Sequence, residues 1–395
     1  MTHEEYMAEA LELAKRGMGF TAPNPMVGAV IVKDGEIIGR GWHRKYGDLH
    51  AERNAFADCE AKGIDCTGAD MYVTLEPCCH HGKQPPCTDA VIEHGIKRVF
   101  VGSGDPNYMV SGKGIRILRE NGIEVTEGVL REKCDKLNEI FFYWITNKRP
   151  FVTVKYAMTL DGKIATWSGE SKWITGEEAR LDVQRERLRH TAIMAGIGTV
   201  LADDPMLTCR IEGGRNPIRI ICDSNLRIPL DSNIVRTAKE IPTIIATTNR
   251  GKGTDIEKGE KRRMLREMGC TIISTKAHNE HVDINTLFRR LADMNIDSVL
   301  VEGGGELNES LFHSKHVNKV KAYIAPKIFG GKNAKSPVEG LGVRTPDDAY
   351  IIENTEIRTI GNDILIEGTV RYKQYKFRRI VIDLKEGDQD VHGNN

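Results

Sequence analysis

The stretch Thr74-Leu75-Glu76-Pro77-Cys78-Cys79-His80-His81-Gly82-Lys83-Gln84-Pro85-Pro86-Cys87-Thr88-Asp89-Ala90, with His50-Ala51-Glu52 upstream, decides how the first part of the chain folds. Met71 to Leu75 is an apolar run of strand length, and Cys87 follows two prolines at the head of a short helix that closes at His94-Gly95. Ala51 to Lys62 reads as a further helix, stopped by Gly63. One imidazole (His50) and two thiolates (Cys78, Cys87) make a zinc site of three protein ligands, with the fourth tetrahedral position left for water. Zinc lowers the pKa of that water toward roughly 7, and a proton carrier is then needed; Glu52 stands two residues from the ligand. Residues two apart on a regular helix face different sides, so His50 is expected just before or at the helix start. A helix N-terminus also favours the thiolate at Cys87. The alternative is a closed structural zinc module, which needs Cys79, His80 or His81 as a fourth ligand.

Working outward, strands and helices alternate. Thr2 to Arg16 is helical, Met26 to Val32 is a strand, and Asp34-Gly35 is a hairpin turn before Glu36 to Gly39. Arg98 to Val101 is another strand, Ile115 to Glu120 a helix, Ile123 to Val125 a strand, and Glu132 to Ile145 a last helix. Strands separated by helices predict an open α/β sheet covered on both faces. Thr146-Asn147-Lys148-Arg149-Pro150 marks a boundary, since proline disfavours helix in the residue before it. The alternation restarts at Phe151 to Ala157, with apolar runs at 192–195, 218–222, 243–246, 271–273 and 298–301 and a late strand from Ile364 to Tyr375. The expected organisation is two α/β domains, 1–147 and 148–375, followed by a polar, partly disordered extension at 376–395.

Composition narrows the function classes. Of 395 residues, 56 are Lys or Arg and 56 are Asp or Glu, so the chain lacks the net positive charge of a protein that tracks nucleic-acid backbone. No run approaches the roughly 18 apolar residues of a membrane span. Glu4, Glu5 and Glu9 are out of place in a signal or transit peptide, and the expected location is cytoplasmic. Five of the nine cysteines (59, 66, 78, 79, 87) cluster, as metal or catalytic chemistry in a reducing compartment would have it. In the second half, strand Ser298 to Glu302 runs through Gly303-Gly304-Gly305 into a helix, a turn whose bare N–H groups can cradle a phosphate. It is not the dinucleotide fingerprint of a Rossmann domain.

His-x-Glu, Pro-Cys and a second Cys resemble the cytidine-deaminase-like superfamily, in which the glutamate is the acid/base and not a ligand. Eight residues part Cys78 from Cys87, and that loop, with Ala22-Pro23-Asn24-Pro25-Met26-Val27-Gly28-Ala29-Val30, resembles the pyrimidine deaminase of riboflavin biosynthesis. Segments 155–165, 168–175, 198–205 and 301–304 resemble the reductase of the same pathway, so residues 1 to about 375 are similar to the bifunctional deaminase–reductase family. That resemblance implies a cytidine-deaminase-like α/β/α domain followed by a dihydrofolate-reductase-like α/β domain. It implies Zn2+ and NADPH as cofactors, small phosphoribosyl-pyrimidine substrates and a homo-oligomer, dimer or tetramer.

Carried over by position, Asn24, His43, His80, Lys83, Asp105 and Asn107 hold the substrate of the deaminase. Asn24 between prolines also suits a plain turn, and Lys83 a solvated loop. Ala157, Trp173, Thr199, Asp203, Ser224 and the run Gly304, Gly305, Glu306, Leu307, Asn308, Glu309, Ser310 contact NADPH; Ser171, Arg187, Leu207, Arg210 and Glu302 contact the substrate to be reduced. Lys155, Asp203 and Glu302 are the groups for proton delivery and orientation. Arg187 suits a phosphate, although Arg185-Glu186-Arg187-Leu188-Arg189 also reads as a solvated helix face, and Asp203-Asp204-Pro205 as a capping turn. Two other readings compete: a zinc deaminase of free bases, nucleosides or tRNA with a non-catalytic C-terminal domain, and a non-enzymatic zinc-stabilised scaffold.

Overall fold

The computed structural model describes residues 1–82, 84–249 and 255–373; the expected extension at 376–395 lies outside them. The first domain contains α1 (His3–Lys15), β1 (Gly28–Lys33), β2 (Glu36–Trp42), α2 (Ala51–Ala61), β3 (Asp70–Leu75) and α3 (Cys87–Glu93). It continues through β4 (Arg98–Ser103), α4 (Lys113–Glu120), β5 (Glu124–Glu127), α5 (Arg131–Leu137) and α6 (Glu139–Asn147). Its sheet runs β2-β1-β3-β4-β5, with β1 antiparallel to both neighbours and β3, β4 and β5 parallel. Side chains alternate across each strand, so Ala29, Ile31, Met71, Val73, Val99 and Val101 enter one core while Val30, Val32, Tyr72 and Phe100 enter the other. Helices α2, α3 and α4 cover the first face, and α1 and α5 the second. Thr2 starts α1 with a capping box to Glu5.

The single helix expected over 132–145 is broken at Asn138. Its side chain accepts from Met26 N and donates to Met26 O, both at 2.9 Å, and that clamp, with φ −104 and ψ 19, ends α5 and starts α6.

The second domain opens with β6 (Phe151–Thr159), α7 (Glu177–Arg189), β7 (Ala192–Gly196), α8 (Ile197–Asp203), β8 (Ile218–Cys222) and α9 (Asn233–Arg236). It continues with β9 (Thr243–Thr248), α10 (Asp255–Glu267), β10 (Cys270–Thr275) and a two-stranded ribbon, β11 (Ala277–His278) with β12 (His281–Val282). Then come α11 (Ile284–Asp293), β13 (Ser298–Val301), α12 (Gly305–His313), β14 (Lys319–Ala325), β15 (Ile351–Ile360) and β16 (Asp363–Arg371). The order is β10-β9-β8-β7-β13-β6-β14-β16-β15, parallel as far as β14 and antiparallel beyond it.

Sequence periodicity misses β14 and β15. β14 interrupts its apolar pattern with Lys319 and Lys321, which are nonetheless buried, and β15 exposes nearly its whole length. Val152, Val154, Val299 and Val301 face the main core, which leaves Thr153, Lys155, Ala157, Ser298 and Glu302 for the face under α7. That alternation positions the second site.

Two candidate active sites

His50 is the N-cap of α2, extended at φ −72 and ψ 167, so its ring and the first-turn carboxylate of Glu52 share one space. β3 ends at Leu75, the chain turns through Pro77, and Cys78 arrives opposite Cys87, the first residue of α3. His50 Nδ1 lies 3.4 Å from each sulfur. Tetrahedral zinc at its usual bond lengths sets nitrogen and sulfur ligands about 3.6 Å apart, so this donor set fits the ion. Among the described residues no further His, Cys, Asp or Glu joins the group. Cys79 turns away, its sulfur 3.8 Å from Met109 O, and the closed-module alternative loses that ligand. The Cys87 thiol and then the His50 ring hold Cys78 down to about 4, well below the usual thiol range. Burial pushes Glu52 upward.

His50, Glu52 and Cys78 line a cavity of about 310 Å³, and Asn24, His43, His80, Asp105 and Asn107 line it too. Lys83 lies outside the described residues. Burial lowers the His43 pKa and keeps the ring neutral; its Nδ1 donates to Leu49 O at 3.0 Å, leaving Nε2 to accept from Asn24 at 3.3 Å. Asp105 is pushed up to about 6 by burial, while its Oδ1 accepts from Asn107 N at 2.8 Å.

Three contributors escape sequence reading. Buried Glu76 accepts backbone N–H groups of Asp105, Gly112, Gly114 and Ile115 at 3.0–3.3 Å, tying the Asp105–Asn107 loop to the strand that carries Cys78. Arg53 donates to Pro85 O and Pro86 O at 3.3 and 2.8 Å and fixes the approach to Cys87. From α6, Phe141, Trp144 and Ile145 form part of the cavity wall. The Glu76 of the Glu-Pro-Cys run was visible in the sequence; its role needs the fold of the distant loop.

In the second domain Lys155, Arg187 and Glu302 converge. Arg187 grips Glu302 with Nε and Nη2 at 2.6 and 2.9 Å, donates Nη1 to Thr208 O at 2.8 Å, and Lys155 Nζ stands 3.7 Å from Glu302 Oε2. Arg187 is therefore no solvated face residue, and three of its N–H groups already have protein acceptors. Against the burial that opposes ionisation, Arg187 and then Lys155 hold Glu302 down to about 2. Burial lowers Lys155, with Glu302 pulling the other way.

Asp203, half-buried at the end of α8, lies 3.8 Å from Lys172, and Asp204 accepts from Asn233 N at 2.8 Å, so the capping reading suits Asp204. Gly304, at φ +85, opens the turn into α12, and Thr199 Oγ1 reaches Gly303 O at 3.5 Å. A Cβ on Gly305 would stand 2.4 Å from Glu339 Cγ, so only glycine fits. Asn308 Oδ1 is buried in this turn without a partner. Helix-start N–H groups, a hydroxyl and an unspent acceptor fit a phosphate-bearing nucleotide such as NADPH. Trp173 is exposed with Arg180 4.7 Å over its ring, and Ser224 Oγ accepts from Val282 N at 3.1 Å. Ala157 packs beside Tyr323, Ser171 is half-buried and Arg210 is exposed. Leu207 and Leu307 turn their side chains into the cores, so a contact from either must come through its backbone.

A family model described as the cytidine and deoxycytidylate deaminase zinc-binding region matches residues 1–103, and one described as the RibD C-terminal domain matches 150–366. The chain is 53% identical over 370 residues to riboflavin biosynthesis protein RibD of Actinobacillus pleuropneumoniae, covering 94% of this chain and 96% of that protein. It is 42% identical to the protein of the same name from Bacillus amyloliquefaciens, covering 99% of each. A Thermotoga maritima structure titled diaminohydroxyphosphoribosylaminopyrimidine deaminase/5-amino-6-(5-phosphoribosylamino)uracil reductase is similar at a TM-score of 0.78 and 39% identity, over 93% of this chain and 99% of that one. Acinetobacter baumannii RibD is similar at 0.79 and 33%, with the same coverage.

Proposed function

The chain belongs to the RibD family of riboflavin biosynthesis proteins, and on that premise we propose how its residues share two reactions between two sites. It is a zinc-dependent pyrimidine deaminase and an NADPH-dependent reductase. Deamination acts on 2,5-diamino-6-(5-phosphoribosylamino)pyrimidin-4(3H)-one, and reduction turns the ribosyl group of 5-amino-6-(5-phosphoribosylamino)uracil into ribityl. Residues 1–147 are assigned to the first activity and 148–375 to the second. The observation that carries the reading is the convergence of His50, Cys78 and Cys87 in one donor group, with His50, Cys78 and Glu52 lining one cavity together with Asn24, His43, His80, Asp105 and Asn107. A non-catalytic second domain is not favoured, because the relatives match across both halves.

In the first site, zinc held by His50, Cys78 and Cys87 supplies a Lewis acid that makes water a nucleophile near neutral pH. Glu52 accepts the proton of the attacking water and returns it to the departing amine, so water oxygen enters the ring and ammonia leaves. Neutral His43 and Asn24 offer directional hydrogen bonds to the pyrimidine, with Asp105, Asn107 and His80 around it. Lys83 is assigned to the phosphate, as a point charge.

In the second site the residues around Thr199 and the 304–310 turn would hold NADPH, which would supply a hydride for the opened, imine-like ribosyl carbon. The nitrogen then needs a proton. Glu302 is a poor donor, since Arg187 and Lys155 keep it ionised. Lys155, buried and thereby made more acidic, delivers the proton, while Glu302 orients it and Asp203 lies nearer the cofactor. Arg187 keeps unspent N–H capacity for substrate and Arg210 is exposed to receive phosphate. Thr199, Trp173, Ala157, Ser224, Ser171 and the backbone of 304–310 hold cofactor and substrate.

Incubating the full chain with the diaminopyrimidinone phosphate, with and without NADPH, and weighing the products tests both steps. Exchange of one amino group for oxygen without NADPH, and gain of two hydrogens only with it, is the expected result; an unchanged substrate refutes the first assignment. Among the described residues no helix is long and apolar enough to cross a membrane. A cytoplasmic homo-oligomer, dimer or tetramer, completes the proposal, with sedimentation as its check.

A further inference from the structure

We propose that α6 is the substrate-discriminating wall of the deamination cavity and that the reductase domain holds this wall in place by its grip on Glu139. The inference rests on the reading of that cavity as the deamination site.

Helix α6 falls between the two regions that family models match, 1–103 and 150–366. The zinc-binding region thus supplies the metal ligands and Glu52, and a segment outside it closes the cavity with three apolar side chains, Phe141, Trp144 and Ile145. Phe141 also packs on the first domain's core, and Trp144 is buried. An apolar wall of this kind discriminates by shape and by exclusion of water, and a shift of about 1 Å in it is enough to weaken binding.

Phe141 and Phe142 anchor α6 on the first domain, and its first residue is gripped by the other one. At its first residue, Glu139 Oε1 accepts from Lys319 Nζ of β14 at 2.9 Å and from Arg189 Nη2 at the end of α7 at 3.0 Å, and Oε2 lies 3.2 Å from Lys319. The side chains are 20% exposed for Glu139, 7% for Lys319 and 15% for Arg189, so these charges depend on one another. Arg189 also reaches the carbonyls of Lys136 and Leu137 just ahead of the helix. Midway along the helix Tyr143 meets Phe151 of β6 edge-on, with ring centres 5.6 Å apart. The Asn138 clamp on Met26 then carries the placement of the helix to the Asn24-Pro25 rim. Glu139 touches neither the cavity nor the metal ligands: it is a positioning residue.

The metal ligands and Glu52 sit at the start of α2, in the turn after β3 and at the start of α3, away from this joint, so loosening it alters how substrate is held more than how fast bound substrate reacts. The test is steady-state kinetics of both reactions on zinc-loaded, full-length chain carrying Glu139→Gln or Phe141→Leu, with zinc per chain measured on each preparation. For both variants the deamination KM rises roughly threefold to tenfold, kcat stays within about twofold, zinc content is unchanged and the reductase constants stay at the parent values. A KM for deamination equal to the parent's in Phe141→Leu overturns the wall. An unchanged KM in Glu139→Gln, or a reductase loss of equal size, overturns the grip. If Glu139→Gln does not fold, Phe141→Leu still decides the wall, and Glu139→Asp, which keeps the charge, decides the grip by the same KM criterion. A parent chain that fails to deaminate removes the cavity reading itself, and the wall with it.

Discussion

Replacing Arg187 with methionine should destabilise the second domain strongly at neutral pH and much less in acid. Arg187 holds Glu302 by two hydrogen bonds of 2.6 and 2.9 Å, both side chains being 11% exposed. Burial alone would raise the Glu302 pKa; Arg187, helped by Lys155, brings it from 4.5 to about 2. At about 1.36 kcal/mol per pKa unit, the ionised form is favoured in the folded chain by about 3 kcal/mol. Because the folded pKa lies below the unfolded one, this stabilisation is complete above about pH 4.5 and is lost as pH falls through about 2. Without Arg187, Lys155 at 3.7 Å is the remaining partner and Glu302 can escape its penalty only by taking a proton. The difference between parent and Arg187→Met should therefore be about 3 kcal/mol at pH 7 and about half that at pH 3, on top of roughly 1 kcal/mol at any pH for the hydrogen bond to Thr208. Urea unfolding of parent and variant across that pH range measures it. An equal loss at both pH values would refute the reasoning, because it would mean that packing and the Thr208 contact, and not the charge of Glu302, account for the effect.

Glu52→Gln should keep zinc and reductase activity and lower deamination by roughly a hundredfold or more; loss of zinc in that variant would move Glu52 into the ligand set. Dialysis against a strong chelator should abolish deamination, leave reduction of the deaminated substrate intact and be reversed by added zinc, all read from one preparation by product mass. Gly304→Ala forces a Cβ onto a residue at φ +85 and ψ 142, a strain of roughly 1–3 kcal/mol, and should raise the NADPH KM of the reductase without touching deamination. His190 is buried, donates from Nδ1 to Glu186 O and accepts at Nε2 from Thr153 Oγ1, and burial takes its pKa down to about 4. The parent should lose stability as pH falls from about 6.5 to 4, where only the unfolded ring takes a proton, and His190→Gln should flatten that slope in a pH series of urea melts.

The donor set was legible because its chemistry is local. His50 and Glu52 are two residues apart, a helix start is the one place where both can face a common point, and the double proline ahead of Cys87 marks the other helix start. The strand alternation that builds the first sheet, and the second apart from β14 and β15, was legible for the same reason. What sequence could not give is pairing across distance. Arg187 and Glu302 are 115 residues apart, and the run of charges around Arg187 reads as solvated until α7 is laid over the face that carries Glu302. Lys319 and Lys321 disguise β14 as a polar segment because their partners, Glu139, Glu186 and Glu367, come from three separate places in the chain. The break at Asn138 has no local signal of helix termination; it follows from a backbone 112 residues earlier.

Those distant pairings are organised by the last turn and a half of α7. Glu186 binds Lys321 at 2.7 Å, Arg187 binds Glu302, and Arg189 binds Glu139, so consecutive faces of one helix end serve the buried scaffold, the proposed reductase site and the proposed wall of the deamination cavity. The register makes this necessary: Lys155 of β6 and Lys321 of β14 are direct neighbours across the parallel ladder, Lys321 buried and the Lys155 side chain only 14% exposed. Like charges side by side on one face repel, and in a low-dielectric interior they are tolerated only when each meets its own carboxylate. Glu302 answers the first, and Glu186 with Glu367 the second. With the carboxylates so distributed, Glu186 is already committed and α7 can present only its arginines to Glu302 and Glu139. The signs of Glu186, Arg187 and Arg189 thus follow from the strand register beneath them, while Arg185, 62% exposed beside Asp182, stands outside it.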